Sequence, residues 1–174
     1  LPVFIWDEET PGHWQIGAAQ KWWLHHSLVS LDQSYEACGN RLILRRGRAD
    51  EILPRLAAEV GAAEVHALRH YEPWHEAAQE AVGARLALIL HDGQYLAPPT
   101  DVLNGQGQRY RMFTPWYRKL LERMPPEHPL PAPSQIDGPD VHVASDDLED
   151  WGLLPSKPDW STGFSQWRPG EAGA

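Results

Sequence analysis

The chain has 174 residues, 42% of them hydrophobic, with one cysteine and a formal net charge of −9. That length supports one α/β domain with a real core plus an extended tail, while the lone Cys38 excludes an internal disulfide framework and suits a reducing cytoplasm. Residues 125–174 hold 2 Lys+Arg against 9 Asp+Glu and 9 of the 16 prolines, whereas residues 1–124 balance at 13 against 15, so a self-sufficient DNA-binding surface is excluded.

The chain starts at Leu1, and Pro2–Asp7 (PVFIWD) already reads as a buried parallel strand ending in an acid. No leader or bilayer-spanning run is recognisable, so neither a membrane partner nor export is expected. Glu8–Trp14 is a loop. Ile16–Cys38 is a long amphipathic helix whose stripe is Leu24, Leu28, Leu31, Tyr35 and Cys38, with Gly39-Asn40 ending it. Arg41–Arg46 is a second strand. Ala49–Val60 is a helix in which Pro54 is tolerated as a near-first-turn residue, and Gly61 closes it. Glu64–Leu68 is a third strand, Pro73–Ala84 a helix opened by proline, and Arg85–His91 a fourth strand. Strand and helix alternate and the strands are nearly continuous in apolar residues, which predicts an α/β fold with a doubly wound parallel sheet.

Beyond the sheet, Gly105, Gly107 and the polar residues between them make a flexible loop, and Tyr110–Phe113 extends. Thr114-Pro115 predicts a helix start, with Thr114 as the cap and Pro115 first inside. Trp116, Leu120 and Met124 form its stripe, and this aromatic corner is expected to bury against the upstream body. The stretch PPEHPLPAP is stiff and extended. The rest of 125–174 reads as a strap, its Trp151, Trp160 and Trp167 lying on a neighbouring domain.

Candidate chemistry is sparse. Gly105-x-Gly107 lacks the third glycine and the Gly-Lys-Ser/Thr of a phosphate loop. His25 and His26 are adjacent on a helix, about 100° apart, and cannot share an ion. His66, His70 and His75 have no supporting cysteine and no HExxH pattern, so no metal site is expected. Ser27, Ser30 and Cys38 lie inside a helix pattern without a nucleophile elbow, and no catalytic residue is assigned. The strand ends are better placed, because open parallel sheets bind ligands beyond their carboxyl edge. Trp6 and Asp7 end the first strand, and Arg69–His75 (RHYEPWH) follows the third, with Tyr71, Glu72, Trp74 and His75 as its site candidates. Together they suit a pocket for a flat ring, or equally an inert packing of loops.

Several stretches together resemble one family, the DNA photolyase/cryptochrome flavoproteins. The family's antenna-domain helix, Gly-x-x-Ser/Gln-Arg/Lys-Trp-Trp-Leu-x-x-Ser-Leu, is similar to Gly17-x-x-Gln20-Lys21-Trp22-Trp23-Leu24-x-x-Ser27-Leu28. Tyr110-Arg111-Met112-Phe113-Thr114-Pro115-Trp116 resembles its Tyr-x-Val-Phe-Thr-Pro-Phe corner, and Tyr71-Glu72 stands where members have Tyr-Glu or Tyr-Asp. Two stretches resemble the linker into the flavin domain: Trp151-Gly-Leu-Leu-Pro155-x-Lys157-Pro158-x-Trp160, and Trp167-x-Pro169-Gly170-Glu171 through Ala174.

The resemblance implies residues 1–124 as a Rossmann-like antenna domain, lacking the family's first strand, and 125–174 as an interdomain linker to an absent helical FAD domain. That first strand is central in the family sheet. Without it, Pro2–Asp7 should pair with Arg41–Arg46 and Glu64–Leu68 with Arg85–His91, leaving a gap of roughly 9–10 Å. For the intact protein it implies light-dependent repair of cyclobutane pyrimidine dimers, with FAD and damaged DNA held by the absent domain. The antenna pigment would be a deazaflavin, a flavin or folate, held by Trp6, Asp7, Tyr71, Glu72, Trp74 and His75. Folate-binding relatives have Asn-Glu where Trp74-His75 stands here, which disfavours folate and leaves a deazaflavin, a flavin or no pigment open. The alternatives are a cryptochrome-type photoreceptor domain and a free-standing nucleotide-binding α/β module.

Overall fold

The computed structural model describes residues 1–126, 128, 130–139, 141–164 and 166–173. The parts of the proline-rich and linker readings that fall on Glu127, Pro129, Asp140, Ser165 and Ala174 lie outside the described residues. The elements run β1 (Val3–Trp6), α1 (Ala18–Ala37), β2 (Ile43–Arg46), α2 (Ala49–Val60), β3 (Glu64–Leu68), α3 (Pro73–Gly83), β4 (Ala87–His91) and α4 (Phe113–Leu121). Single 3-10 turns follow at Glu149–Trp151, Ser161–Phe164 and Glu171–Gly173. No helix among the described residues is long and apolar enough to cross a membrane.

Both strand pairs are parallel, as the alternation predicts. Val3 faces Ile43 through to Trp6 facing Arg46, and Glu64 faces Ala87 through to Leu68 facing His91. They form two separate two-stranded sheets, as expected from the resemblance, with no ladder joining β1 to β3 among the described residues. A cavity of about 550 Å³ lies where these two edges face each other, lined by Val3 from β1, Val65 from β3, and Leu53 and Leu56 from α2.

The sequence predicts strands buried on both faces, and the β3–β4 pair departs from this. Glu64, His66 and Leu68 on β3 and Ala87, Ile89 and His91 on β4 are all exposed. Val65, Leu88 and Leu90 are half-buried, and α2 and α3 pack on this pair of strands. β4 alternates as a sheet covered on one face does, whereas β3 is exposed at Ala67 as well and is covered only at Val65. On the open face His66 and His91 stack, with Nδ1 of one 2.8 Å from Nε2 of the other.

In α1 the buried residues are Trp22, His25 and Leu28, while Leu31, expected inside, is 42% exposed. In α2, Pro54 is the sixth residue rather than a first-turn one, and its missing N–H deprives the Asp50 carbonyl of its helical partner. Arg85 repairs this: its Nη1 donates to the Asp50 carbonyl at 2.7 Å. Arg85→Ala should therefore lower the urea midpoint by an amount worth about 1 kcal/mol, with an unchanged slope. The Asp50 carboxylate is held below the usual carboxylate range, first by its hydrogen bond from Arg48. A depressed folded-state value means that this contribution is complete above the unfolded value of about 3.9 and is lost as pH falls on through the folded one. Asp50→Asn should accordingly flatten the acid limb of the stability profile.

Helix α4 starts one residue before the predicted cap. Met112 is the N-cap, no side chain caps the helix, and Pro115 is the third residue, where a missing N–H still costs no helical bond. The aromatic corner does not bury. Phe113 is 69% exposed and stacks on Tyr117 at 5.4 Å, and only Leu120 of α4 is buried.

The strap returns to its own domain. Asp146 N–H donates to the Leu44 carbonyl, and Leu44 N–H donates to Ser145 Oγ, each at 2.9 Å. Arg41 and Arg45 donate to the carbonyls of Val143 and Ala144. Val143 is 1% exposed and joins Ile43 and Leu56, while Trp151 and Leu153 join Trp6, Leu28, Leu42 and Leu44 in the main core. Trp151 thus lies inside this domain, whereas Trp167 is 55% exposed.

Candidate functional site

The end of β1, the first turns of α1 and the segment between β3 and α3 converge on a cavity of about 840 Å³. This is within the roughly 300–1,000 Å³ of small-molecule sites. Its walls are mainly apolar: Ile5, Ile16, Ala19, Trp22, Trp23 and Leu24 line it, with Phe164 and Trp167 from the strap. The polar groups are few, among them Asp7, Gln15, Lys21, Ser27, His70 and His75. Position follows from sequence: α1 begins soon after β1 ends, so its first turn lies over the carboxyl edge. Gln20 secures that turn by accepting the Gly17 N–H at 3.1 Å.

The six residues predicted for the site divide. Trp6, Asp7 and His75 line the cavity. Trp6 is only 6% exposed, packed on Trp151 at 5.3 Å between centroids, with Arg46 at 4.7 Å and Lys21 at 5.3 Å over its ring. The Asp7 carboxylate accepts the N–H groups of Glu9 and Thr10, both at 2.9 Å, and so holds the following turn. Trp74 lies next to His75 and pairs with Trp14, the rings 5.9 Å apart and 14° from parallel. Tyr71 turns away and donates to Asp92 at 2.8 Å. Burial, then that carboxylate, pushes its phenol up.

Glu72 is the N-cap residue of α3 and lies 3.7 Å from His70 Nδ1. Its carboxyl is held low by its own backbone N–H first, and then by His75, the Tyr71 N–H and His70. Burial, then the neighbouring His70, pushes the His75 imidazole down. His70, Glu72 and His75 each present a ligand atom within 4.8 Å of the other two.

Sequence reasoning about strand ends reached His70 within the Arg69–His75 segment, but not Lys21, Trp22, Trp23 or Phe164. The signal for the first three was present in the Gln20–Leu24 motif, since a helix that follows a strand directly shares its carboxyl edge. Phe164 had none, because nothing in a proline-rich strap says where it returns.

Comparison with known proteins places this geometry. A family model described as DNA photolyase matches residues 1–134. A deoxyribodipyrimidine photo-lyase of Agrobacterium fabrum is 39% identical over the whole chain, which covers 37% of that relative's length. Cryptochrome-1 of Arabidopsis thaliana is 29% identical over 95% of the chain, covering 26% of its own length. The crystal structure of a bacterial class III photolyase from Agrobacterium tumefaciens superposes with a TM-score of 0.88 at 37% identity, over 99% of this chain and 36% of that one. The chain thus spans little more than a third of the photolyases it matches, and along that third it belongs to the DNA photolyase family.

Proposed function

We propose that this chain is the antenna portion of a deoxyribodipyrimidine photolyase, a light-dependent lyase that repairs cyclobutane pyrimidine dimers in DNA. The observation that carries the reading is the 39% identity to a photolyase along the entire chain. The 29% identity to a plant cryptochrome makes a signalling photoreceptor the second reading. In this proposal residues 1–124 form the body of the antenna domain, Val143, Trp151 and Leu153 of the strap complete its core, and the rest of 125–174 leads to a helical domain that holds FAD and the flipped dimer. A bound pigment, a deazaflavin, a flavin or folate, would supply light absorption and excitation transfer to that FAD.

The cavity fits such a group by size and by chemistry. Aromatic and aliphatic walls exclude water from a conjugated ring, and a few polar groups orient it. Lys21 supplies a cation for an anionic tail, at present 3.4 Å from Glu8. Trp14 and Trp74 stack on each other beside His75 and brace the segment that carries it. Tyr71 and Glu72 support the segment that carries these groups.

Fluorescence titration with FMN, a deazaflavin and a reduced folate tests the site. One of the three should bind, Trp23→Ala, which removes a lining ring, should weaken it roughly tenfold, and Ala19→Trp, which puts an indole into the cavity, should abolish binding. Binding that survives both substitutions would place the pigment elsewhere.

A further inference from the structure

We propose that His70, Glu72 and His75 form a binding site for a divalent cation of the zinc class at the edge of the large cavity. Their ligand atoms lie within 4.8 Å of one another. His70 Nδ1 and Glu72 Oε2 are 3.7 Å apart, and the two imidazoles are 4.5 Å between centroids. A tetrahedral zinc ion bound at about 2.0–2.2 Å needs ligand atoms roughly 3.4 Å apart. Small rotations of side chains close that difference without moving the backbone.

The scaffold around the three residues is built to hold them. Pro73 fixes the turn into α3, and Glu72 and His75 stand at its N-cap and third positions, hence on one face. Gln79, one turn further along α3, clamps His70 by its main chain. Its Oε1 accepts the His70 N–H, and its Nε2 donates to the His70 carbonyl, both at 3.0 Å. The amide of Gln94 lies 3.1 and 3.2 Å from the two ring nitrogens of His70.

The donor set chooses the ion. Two imidazoles and one carboxylate suit zinc, cobalt, nickel or copper, whereas magnesium and calcium prefer oxygen alone. The positive end of α3 opposes a cation, but that field is worth only a few-fold in affinity, and the Glu72 carboxylate offsets it. Three protein ligands leave at least one position open. His70 and His75 both line the cavity, so the open position is reachable from it by an oxygen or nitrogen donor. The site stands on its own residues and does not depend on a pigment filling the cavity.

The rival histidine cluster is the exposed stack of His66 and His91 with Glu64, so the test must separate the two. Zinc chloride is titrated into the 174-residue chain by calorimetry, and cobalt binding is followed by visible absorption, both in excess magnesium. One equivalent should bind in the micromolar range. His75→Gln and His70→Ala should each abolish binding, with circular dichroism confirming that the variants remain folded. Gln79→Ala should weaken it roughly tenfold, and the His66→Ala/His91→Ala double variant should leave it unchanged. Loss of binding in the double variant, full binding by His75→Gln, or no saturable zinc binding overturns the proposal.

Discussion

Trp151→Ala should destabilise the chain by about 3–5 kcal/mol, a large share of the roughly 5–15 kcal/mol that a domain of this kind possesses. Trp151 is 5% exposed and stands 5.3 Å from Trp6 and 6.1 Å from Phe4 between ring centroids. Leu153 is buried and Leu148 half-buried beside it, and Glu149 lies 3.7 Å from Nε2 of the buried His25. Truncation opens a void that β1, β2 and α1 cannot collapse into, because Trp6 is itself held between Trp151 and the cations of Lys21 and Arg46. Trp151→Phe should cost much less. It keeps most of the contact and removes an indole N–H that is buried without a partner among the described residues. Urea unfolding measures both variants. An alanine variant within about 1 kcal/mol of the parent would mean that the strap is not part of this core.

The second large effect concerns activity. The 174-residue chain mixed with FAD and illuminated should give no dimer repair above background. Its net charge is −9, and the strap contributes 2 cations against 9 acids, so association with duplex phosphate is opposed. The site offers no substitute for a flavin. Asp7 is committed to the turn it caps, Tyr71 is bonded to Asp92, and the cavity walls are apolar. Under the proposed function the chain's part is to hold a pigment, and the chemistry belongs to the part that holds FAD, so the chain alone should be silent.

The elements with strong local signals were legible in the sequence. Ala49–Val60 is the α2 helix residue for residue, because Gly61 takes the left-handed conformation at φ +67° and ends it. The pairing of β1 with β2 and of β3 with β4 followed from alternation together with the family resemblance. Features set by tertiary packing were not legible. Whether β3 and β4 are covered on one face or two depends on where α2 and α3 settle, and both patterns are compatible with EVHAL and RLALILH. Trp151 reads the same whether it docks on its own domain or on another, and only the bonds from β2 to Ser145 and Asp146 decide it. His70, Glu72 and His75 match no ligand motif, since their meeting depends on the reversal at Pro73 rather than on a helical or strand period.

Light-dependent repair, measured side by side on the 174-residue chain and on the product of its full reading frame, tests the central proposal most directly. Both are supplied with FAD and a DNA carrying one cyclobutane dimer, and restored thymines are counted after illumination. Repair by the longer protein and none by the chain alone is the expected result. Repair by the chain alone, or none by the longer protein, would contradict the assignment of this chain as the antenna portion of a photolyase.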